Sequence, residues 1–286
     1  MPIDRTIDGT HPVAIREWPG SGPVVLFIHG GGLNAAMWDR CAELLGDNHH
    51  RVAVDLQSHG QSPLIERPLS YEIWLADVDA ALDAVGAEQA VIVGHSWGGR
   101  VAIGYALAHA HRCLAVVAVD GGLIDFGGRH ATLLPSPEDR DQFIAGMRGD
   151  PVEGYAGSPT SLSELLTDSV PAVAWRKVIE RSFVVVGDHV EHRPTPERYW
   201  EAVELERSGA VPPPSAYADL SCPTLLLFAT EYPVDESSWP FAPAATARLH
   251  GAYGFDVRYI ESDHNIPITA PRAVADHISD FLAGRL

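Results

Sequence analysis

Short apolar, β-branched runs alternate along this chain with stretches of helical periodicity, and no other feature narrows its fold as far. PVVLFI at 23–28, RVAVD at 51–55, AVIV at 90–93 and CLAVVAV at 113–119 read as strands. Between them, 38–45 reads as a helix. Residues 71–85 form an amphipathic helical pattern, apolar at Ile73, Leu75, Val78, Leu82 and Val85, and 99–110 is a helix rich in small residues. Strands that are apolar at almost every position are covered on both faces, as parallel strands are. Alternation of this kind predicts an α/β chain with a doubly wound, mostly parallel sheet.

The rhythm breaks after Asp120. Residues 123–219 are rich in proline and polar side chains, with helices expected at 138–147, 161–166, 172–181 and 196–208. A hairpin is expected at 183–190, turning at Gly187-Asp188, and Val211-Pro212-Pro213-Pro214 reads as a stiff connector. Alternation then resumes with strands at 224–228 and 255–260 and helices at 240–249 and 273–282. The expected division is therefore a core at 1–122, an insertion at 123–219 and the rest of the core at 220–286.

Composition excludes several classes of function. The chain has 286 residues, 46% of them hydrophobic, enough for a sizeable core, and a net charge of −18. That charge argues against nucleic acid and anionic membranes as partners. The polar start at residues 1–10 lacks the apolar core of a secretory signal, and no apolar run approaches the roughly 20 residues needed to cross a bilayer. Cys41, Cys113 and Cys222 are few, odd in number and widely spaced, which predicts free thiols in a reducing cytoplasm.

Chemistry concentrates at Gly94-His95-Ser96-Trp97-Gly98, a G-x-S-x-G string between the AVIV strand and the small-residue helix. A serine on so sharp a turn is held strained, with its Oγ exposed at the sheet's edge and a helix N-terminus beside it. Three further motifs accompany it: His29-Gly30-Gly31-Gly32 followed by Trp38, the loop Asp55-Leu56-Gln57-Ser58-His59-Gly60-Gln61-Ser62, and Asp263-His264-Asn265-Ile266 after the last strand. In this order the four motifs resemble those of the α/β-hydrolase superfamily, in its capped serine-hydrolase branch. The Asp55 loop is similar to that family's D-x-R-G-H-G-x-S. The resemblance covers both core segments and implies a mainly helical cap inserted after the sixth core strand.

It also implies roles. Ser96 is the nucleophile and His264, after the final strand, the base that takes its proton. The oxyanion hole is formed by backbone N–H groups of Trp97 and Gly31. His29, Asp55 and His59 anchor loops, Asp263 fixes its own loop, and Trp97 lines the acyl pocket or packs. No metal or organic cofactor is implied, and no Cys/His cluster has ligand spacing. The partner is a small-molecule substrate; Phe143, Trp175, Phe183, Tyr199 and Trp200 are apolar candidates for its pocket or for cap packing.

The triad acid departs from the pattern. Relatives carry an aspartate in P-T-L-L-L-x-G-x-x-D-P, whereas this chain reads Pro223-Thr224-Leu225-Leu226-Leu227-Phe228-Ala229-Thr230-Glu231-Tyr232-Pro233, with Tyr232 at the aspartate position. Tyrosine carries no charge near pH 7. Asp120, ending the 113–119 strand and followed by Gly121-Gly122, is the favoured replacement; Glu231 and Asp235 are the alternatives. The expected activity is hydrolysis of an ester, thioester or lactone of a small to medium acyl substrate through an acyl-enzyme. A serine at the elbow sets the chain apart from the aspartate-nucleophile branches, epoxide hydrolases and haloalkane dehalogenases. Acyl transfer, cyclisation or carbon–carbon bond cleavage is the second reading, and a small-molecule receptor the third.

Overall fold

In the computed structural model, which describes residues 1–128, 130–149, 156–157, 172–231, 246 and 249–285, the apolar runs become strands. In chain order they are β1 (Ile3–Ile7), β2 (Val13–Trp18), β3 (Val24–Ile28), β4 (His50–Asp55), β5 (Ala90–His95), β6 (Cys113–Val119), β7 (Ala156–Gly157), β8 (Phe183–Val186), β9 (His189–His192), β10 (Thr224–Ala229) and β11 (Asp256–Ile260). Eight of them form one sheet in the order β1-β2-β4-β3-β5-β6-β10-β11. The two pairings made by β2 are antiparallel, and every pairing from β4 to β11 is parallel.

Successive side chains of a strand point to opposite faces, and both faces here are apolar. Leu26, Ile28, Val52, Val54, Ile92, Val116, Leu226 and Phe228 lie on one side, in a cluster with helices α2 (Tyr71–Ala84) and α3 (Trp97–Ala108). Val25, Phe27, Ala53, Val91, Val93, Val117, Leu225 and Leu227 lie on the other, with α1 (Asp39–Leu45) and helix Pro271–Leu282. The sheet is thus a middle layer between helices, as its continuous apolarity requires.

The antiparallel edge was not legible as strand. In β1 four of five residues are exposed, and its Arg5 pairs with Glu17 of β2 rather than packing inward. A polar edge strand also resists edge-to-edge association.

Between β6 and β10 stand helices Arg140–Gly149, Val173–Arg181 and Pro196–Arg207 and a small antiparallel sheet, β7-β9-β8. The β8–β9 turn falls at Gly187, in the left-handed region at φ 63°. Ile144, Trp200 and Val203 form a small core of their own there, against which Phe143 packs. The stretch read as a stiff connector leads into a 3₁₀ turn, Pro214–Asp219. The helix expected at 161–166, most of that expected at 240–249, and Asp235 lie outside the described residues. Among the described residues no helix is long and apolar enough to cross a membrane.

Candidate active site

The elbow is built by close backbone approach. Ser96 sits between β5 and α3 at φ 51°, ψ −117°, a conformation that costs a non-glycine residue of order 1–3 kcal/mol. A Cβ on Gly94 would lie 2.0 Å from Gly98 O, and one on Gly98 would lie 2.4 Å from His29 O. Neither position has room for a side chain, so the turn needs both glycines. Ser96 N–H donates to Val119 O at 2.8 Å, which ties the elbow to the end of β6.

Asp120 leaves that strand end at φ 45°, a second non-glycine residue in the left-handed region; aspartate tolerates it better than most. Its side chain is fully buried. Oδ1 accepts from Ala229 N–H at 2.9 Å, and Oδ2 lies 2.6 Å from His264 Nδ1. His264 Nε2 lies 2.9 Å from Ser96 Oγ. A carboxylate only accepts, so Nδ1 carries the imidazole proton and Nε2 accepts from the serine hydroxyl. Glu231 is exposed, and its backbone N–H donates to Ser262 O at 3.0 Å.

His264 is held from behind as well. His95, buried under the elbow, donates from Nε2 to the His264 carbonyl at 2.8 Å. Burial, with the neighbouring His264, lowers the His95 pKa to about 3, so its ring is a neutral donor. Asp263 Oδ1 accepts from Asn265 N–H at 2.8 Å and from Thr269 Oγ1 at 3.1 Å, bonds internal to the histidine loop.

The His29 and Asp55 loops brace the opposite wall. His29 Nδ1 donates to Gly30 O at 2.8 Å, and its Nε2 accepts from Leu56 N–H at 3.0 Å. His59 Nε2 accepts from Gly32 N–H at 3.3 Å. Burial lowers these two histidines to about 4 and about 3. Asp55 accepts from Ala35 N–H at 2.7 Å and Gln61 N–H at 2.9 Å, and Arg181 Nη2 stands 2.9 Å away.

A cavity of about 380 Å³ opens at the serine, lined among others by Gly31, Ser96, Trp97, Tyr199 and His264. Trp97 opens α3, so its N–H is among those a helix leaves without an internal partner. Gly31 lies against it: a Cβ there would meet Trp97 Cε3 at 2.7 Å. The Trp97 ring makes an edge contact with Trp74, centroids 4.4 Å apart, so this side chain both packs and faces the cavity. Of the cap aromatics, Tyr199 lines the cavity, while Phe143 stacks obliquely on Trp200 at 5.4 Å, inside the cap's small core.

Sequence reasoning missed three residues here. His95 lies inside the elbow motif itself. Arg100 and Glu206 both line the cavity. Arg100 carried a readable signal: one charge in an otherwise small and apolar helix, a single turn beyond the serine. Glu206 carried none, because it follows Ser96 by more than a hundred residues. Among the described residues no cluster of His, Cys, Asp and Glu could hold a metal ion.

A family model described as "Alpha/beta hydrolase family" matches residues 25–277. Epoxide hydrolase B of Mycobacterium tuberculosis is 35% identical over 128 residues, which are 44% of this chain and 35% of that protein. The 2-(acetamidomethylene)succinate hydrolase of Mesorhizobium japonicum is 32% identical over 119 residues, 41% of this chain and 42% of the relative. The matched stretches thus span less than half of either relative. A crystal structure of E-2-(acetamidomethylene)succinate hydrolase superposes with a TM-score of 0.74 at 23% identity, covering 99% of this chain and 100% of that one. At that identity the likeness is one of fold.

Proposed function

This chain belongs to the alpha/beta hydrolase family, and from that premise we propose that it is a serine hydrolase, cleaving an ester, thioester or lactone of a small to medium acyl substrate, with 123–219 as its cap. The observation that carries the reading is the continuous line of hydrogen bonds from Ser96 Oγ through His264 to Asp120, 2.9 and 2.6 Å long, at a serine with positive φ.

Ser96 Oγ attacks the acyl carbonyl while its proton passes to His264 Nε2. The tetrahedral oxyanion takes hydrogen bonds from the N–H groups of Trp97 and Gly31. Collapse breaks the bond to the leaving group, which receives the proton from Nε2, and leaves an acyl ester on Ser96. Water then attacks that ester, gives its proton to His264, and the second collapse frees the acid and restores the serine. Asp120 keeps its bond to Nδ1 throughout. It holds the tautomer and stabilises the imidazolium without taking the proton. His95 supports the same geometry by fixing the His264 backbone.

Serine, not aspartate, at the elbow favours acyl chemistry over epoxide opening, although relatives named epoxide hydrolase A and epoxide hydrolase B are among those matched. The three cysteines are free, with Cys41 and Cys113 buried and their thiol pKa values raised by that burial; this fits a reducing cytoplasm. A fluorophosphonate tests the reading. The protein should gain the mass of one adduct, and Ser96→Ala should gain none. Labelling that persists in Ser96→Ala, or no labelling of the unaltered protein, would overturn it.

A further inference from the structure

The cavity wall carries an ion pair that the acyl chemistry does not use. Arg100 follows Ser96 by one helical turn on α3, and Glu206 reaches in from helix Pro196–Arg207; both line the cavity with Ser96 and His264. Each is only 4% exposed. Arg100 Nε stands 2.9 Å from Glu206 Oε2, but the contact is not aligned as a hydrogen bond. Arg100 Nε and Nη1 and both carboxylate oxygens of Glu206 have no hydrogen-bond partner among the described residues.

Neighbouring groups do not fill these positions. The Tyr71 hydroxyl donates to the Arg100 backbone carbonyl at 3.1 Å, and the Tyr217 hydroxyl donates to Gly122 O. The Phe126 ring lies 5.4 Å from the guanidinium carbon and offers only its face. Each buried donor or acceptor left unmet costs about 1–3 kcal/mol, more for a charged group. Native interiors contain few of them. An ion pair so poorly satisfied is also no source of stability, since apolar residues of similar volume usually serve a fold as well or better. The pair stands in the wall of a reaction cavity, although its four unmet atoms expose almost no surface there, so a molecule bound in the cavity meets them only as the two side chains part.

We propose that Arg100 and Glu206 form a subsite for a neutral carboxamide-like group on the acyl substrate, a carbonyl with an adjacent N–H. The substrate carbonyl accepts from Arg100 and its N–H donates to Glu206. A hydroxyl offers one donor against two unmet carboxylate oxygens, whereas a primary carboxamide offers two N–H donors and a carbonyl with two lone pairs. A ketone or ester satisfies the arginine alone, an ammonium is repelled by it, and a carboxylate confronts the oxygens of Glu206. The subsite specifies the acyl portion of the substrate and so rests on the serine-hydrolase reading.

Hydrolysis of p-nitrophenyl acetate, and its loss in Ser96→Ala, reports on that reading alone. The subsite is tested on the unaltered protein with p-nitrophenyl esters of ω-carboxamide acids of increasing chain length, against matched ω-methyl ketones and ω-carboxylates. At the length that reaches the pair, kcat/KM for the amide should exceed both by about tenfold or more, since sites built to bond a polar group discriminate strongly against analogues lacking it. Glu206→Gln removes the negative charge and keeps Arg100, so the order of amide and carboxylate should reverse. Equal kcat/KM for the three tails at every length, or a carboxylate preference in the unaltered protein, overturns the proposal. Calorimetric binding of hexanamide against pentyl methyl ketone needs no turnover and no folded Glu206 variant. Tighter binding of the amide supports the subsite, and equal binding overturns it, whatever the fate of the serine reading.

Discussion

Two buried carboxylates stand beside the Ser96 cavity, and they are opposites. Asp120 has both oxygens engaged, one by Ala229 N–H and one by His264, while neither oxygen of Glu206 has a hydrogen-bond donor among the described residues. A third, Asp55, shows that the difference lies in bonding rather than in burial. It too is fully buried and faces an arginine, Arg181, but two backbone N–H groups and the guanidinium saturate it. Both arginine pairs join an early core segment to the region between β6 and β10. The saturated pair lies in the packed loops behind the site and the bare one in the cavity wall. Saturation fixes a carboxylate in one orientation. Its absence leaves Glu206 open to a proton or a ligand.

The largest expected effect breaks the saturated carboxylate that touches the histidine. Asp120→Asn should lower turnover by about 10⁴-fold, the scale seen when a triad histidine is left in the wrong tautomer. Steady-state kinetics on a model ester checks this, and loss of less than tenfold would remove Asp120 from the triad. Next comes the structural pair. Arg181→Met with Asp55→Leu leaves the N–H groups of Ala35 and Gln61 without their acceptor and should cost about 2–6 kcal/mol in a denaturant melt, at about 1–3 kcal/mol for each unmet group. The bare pair should behave in the contrary way: Arg100→Met with Glu206→Leu should leave stability unchanged or raise it by about 1–4 kcal/mol. If both replacements destabilise equally, the contrast between the pairs is wrong.

Acidity sharpens the same contrast. Burial raises the Glu206 pKa from 4.5 to about 7, with Arg100 only partly opposing it. In the window between those values the folded state holds a proton that the unfolded chain has released. Its contribution to stability should therefore fall as pH rises from about 5 to 7, by at most about 1.4 kcal/mol per pH unit. Glu206→Gln should remove that contribution. His29, His59 and His95 act in the other direction. Their lowered values, about 4, 3 and 3, mean that the unfolded chain binds protons first, so stability should fall as pH drops below 6.5. Where the windows overlap the three histidines outweigh one carboxyl, so melts are read as the difference between the unaltered protein and Glu206→Gln, and a difference that stays constant from about pH 5 to 7 would contradict the first contribution. The smallest effect belongs to Glu231→Gln, which should change kcat/KM by less than about twofold, because an exposed side chain away from such features is usually neutral.

What could be read in advance follows a physical line. Strands β3, β4, β5, β6 and β10 were legible because almost every residue in them is buried, which makes them continuously apolar. β1 was not, because an edge strand with four exposed residues can be polar without penalty. Helix bounds moved by a residue or two; α3 begins at Trp97, directly after the serine, where small residues alone mark no start.

The elbow was determined by local sequence: two glycines without room for a Cβ, a strand before and a helix after, and a serine that only that turn exposes. The other three core motifs were legible as short strings, although they work through partners farther along the chain: His29 on Leu56, His59 on Gly32 and His264 on Asp120. Tertiary structure decided everything that depends on a partner far along the chain. It brought Asp120 within 2.6 Å of His264, set the His95 ring against the His264 carbonyl at 2.8 Å, and faced Arg100 with Glu206 across the cavity wall. A carboxylate's neighbours, and hence whether it orients, braces or waits for a ligand, are chosen by packing between strand ends and the segment inserted between them, and no local spacing records that choice.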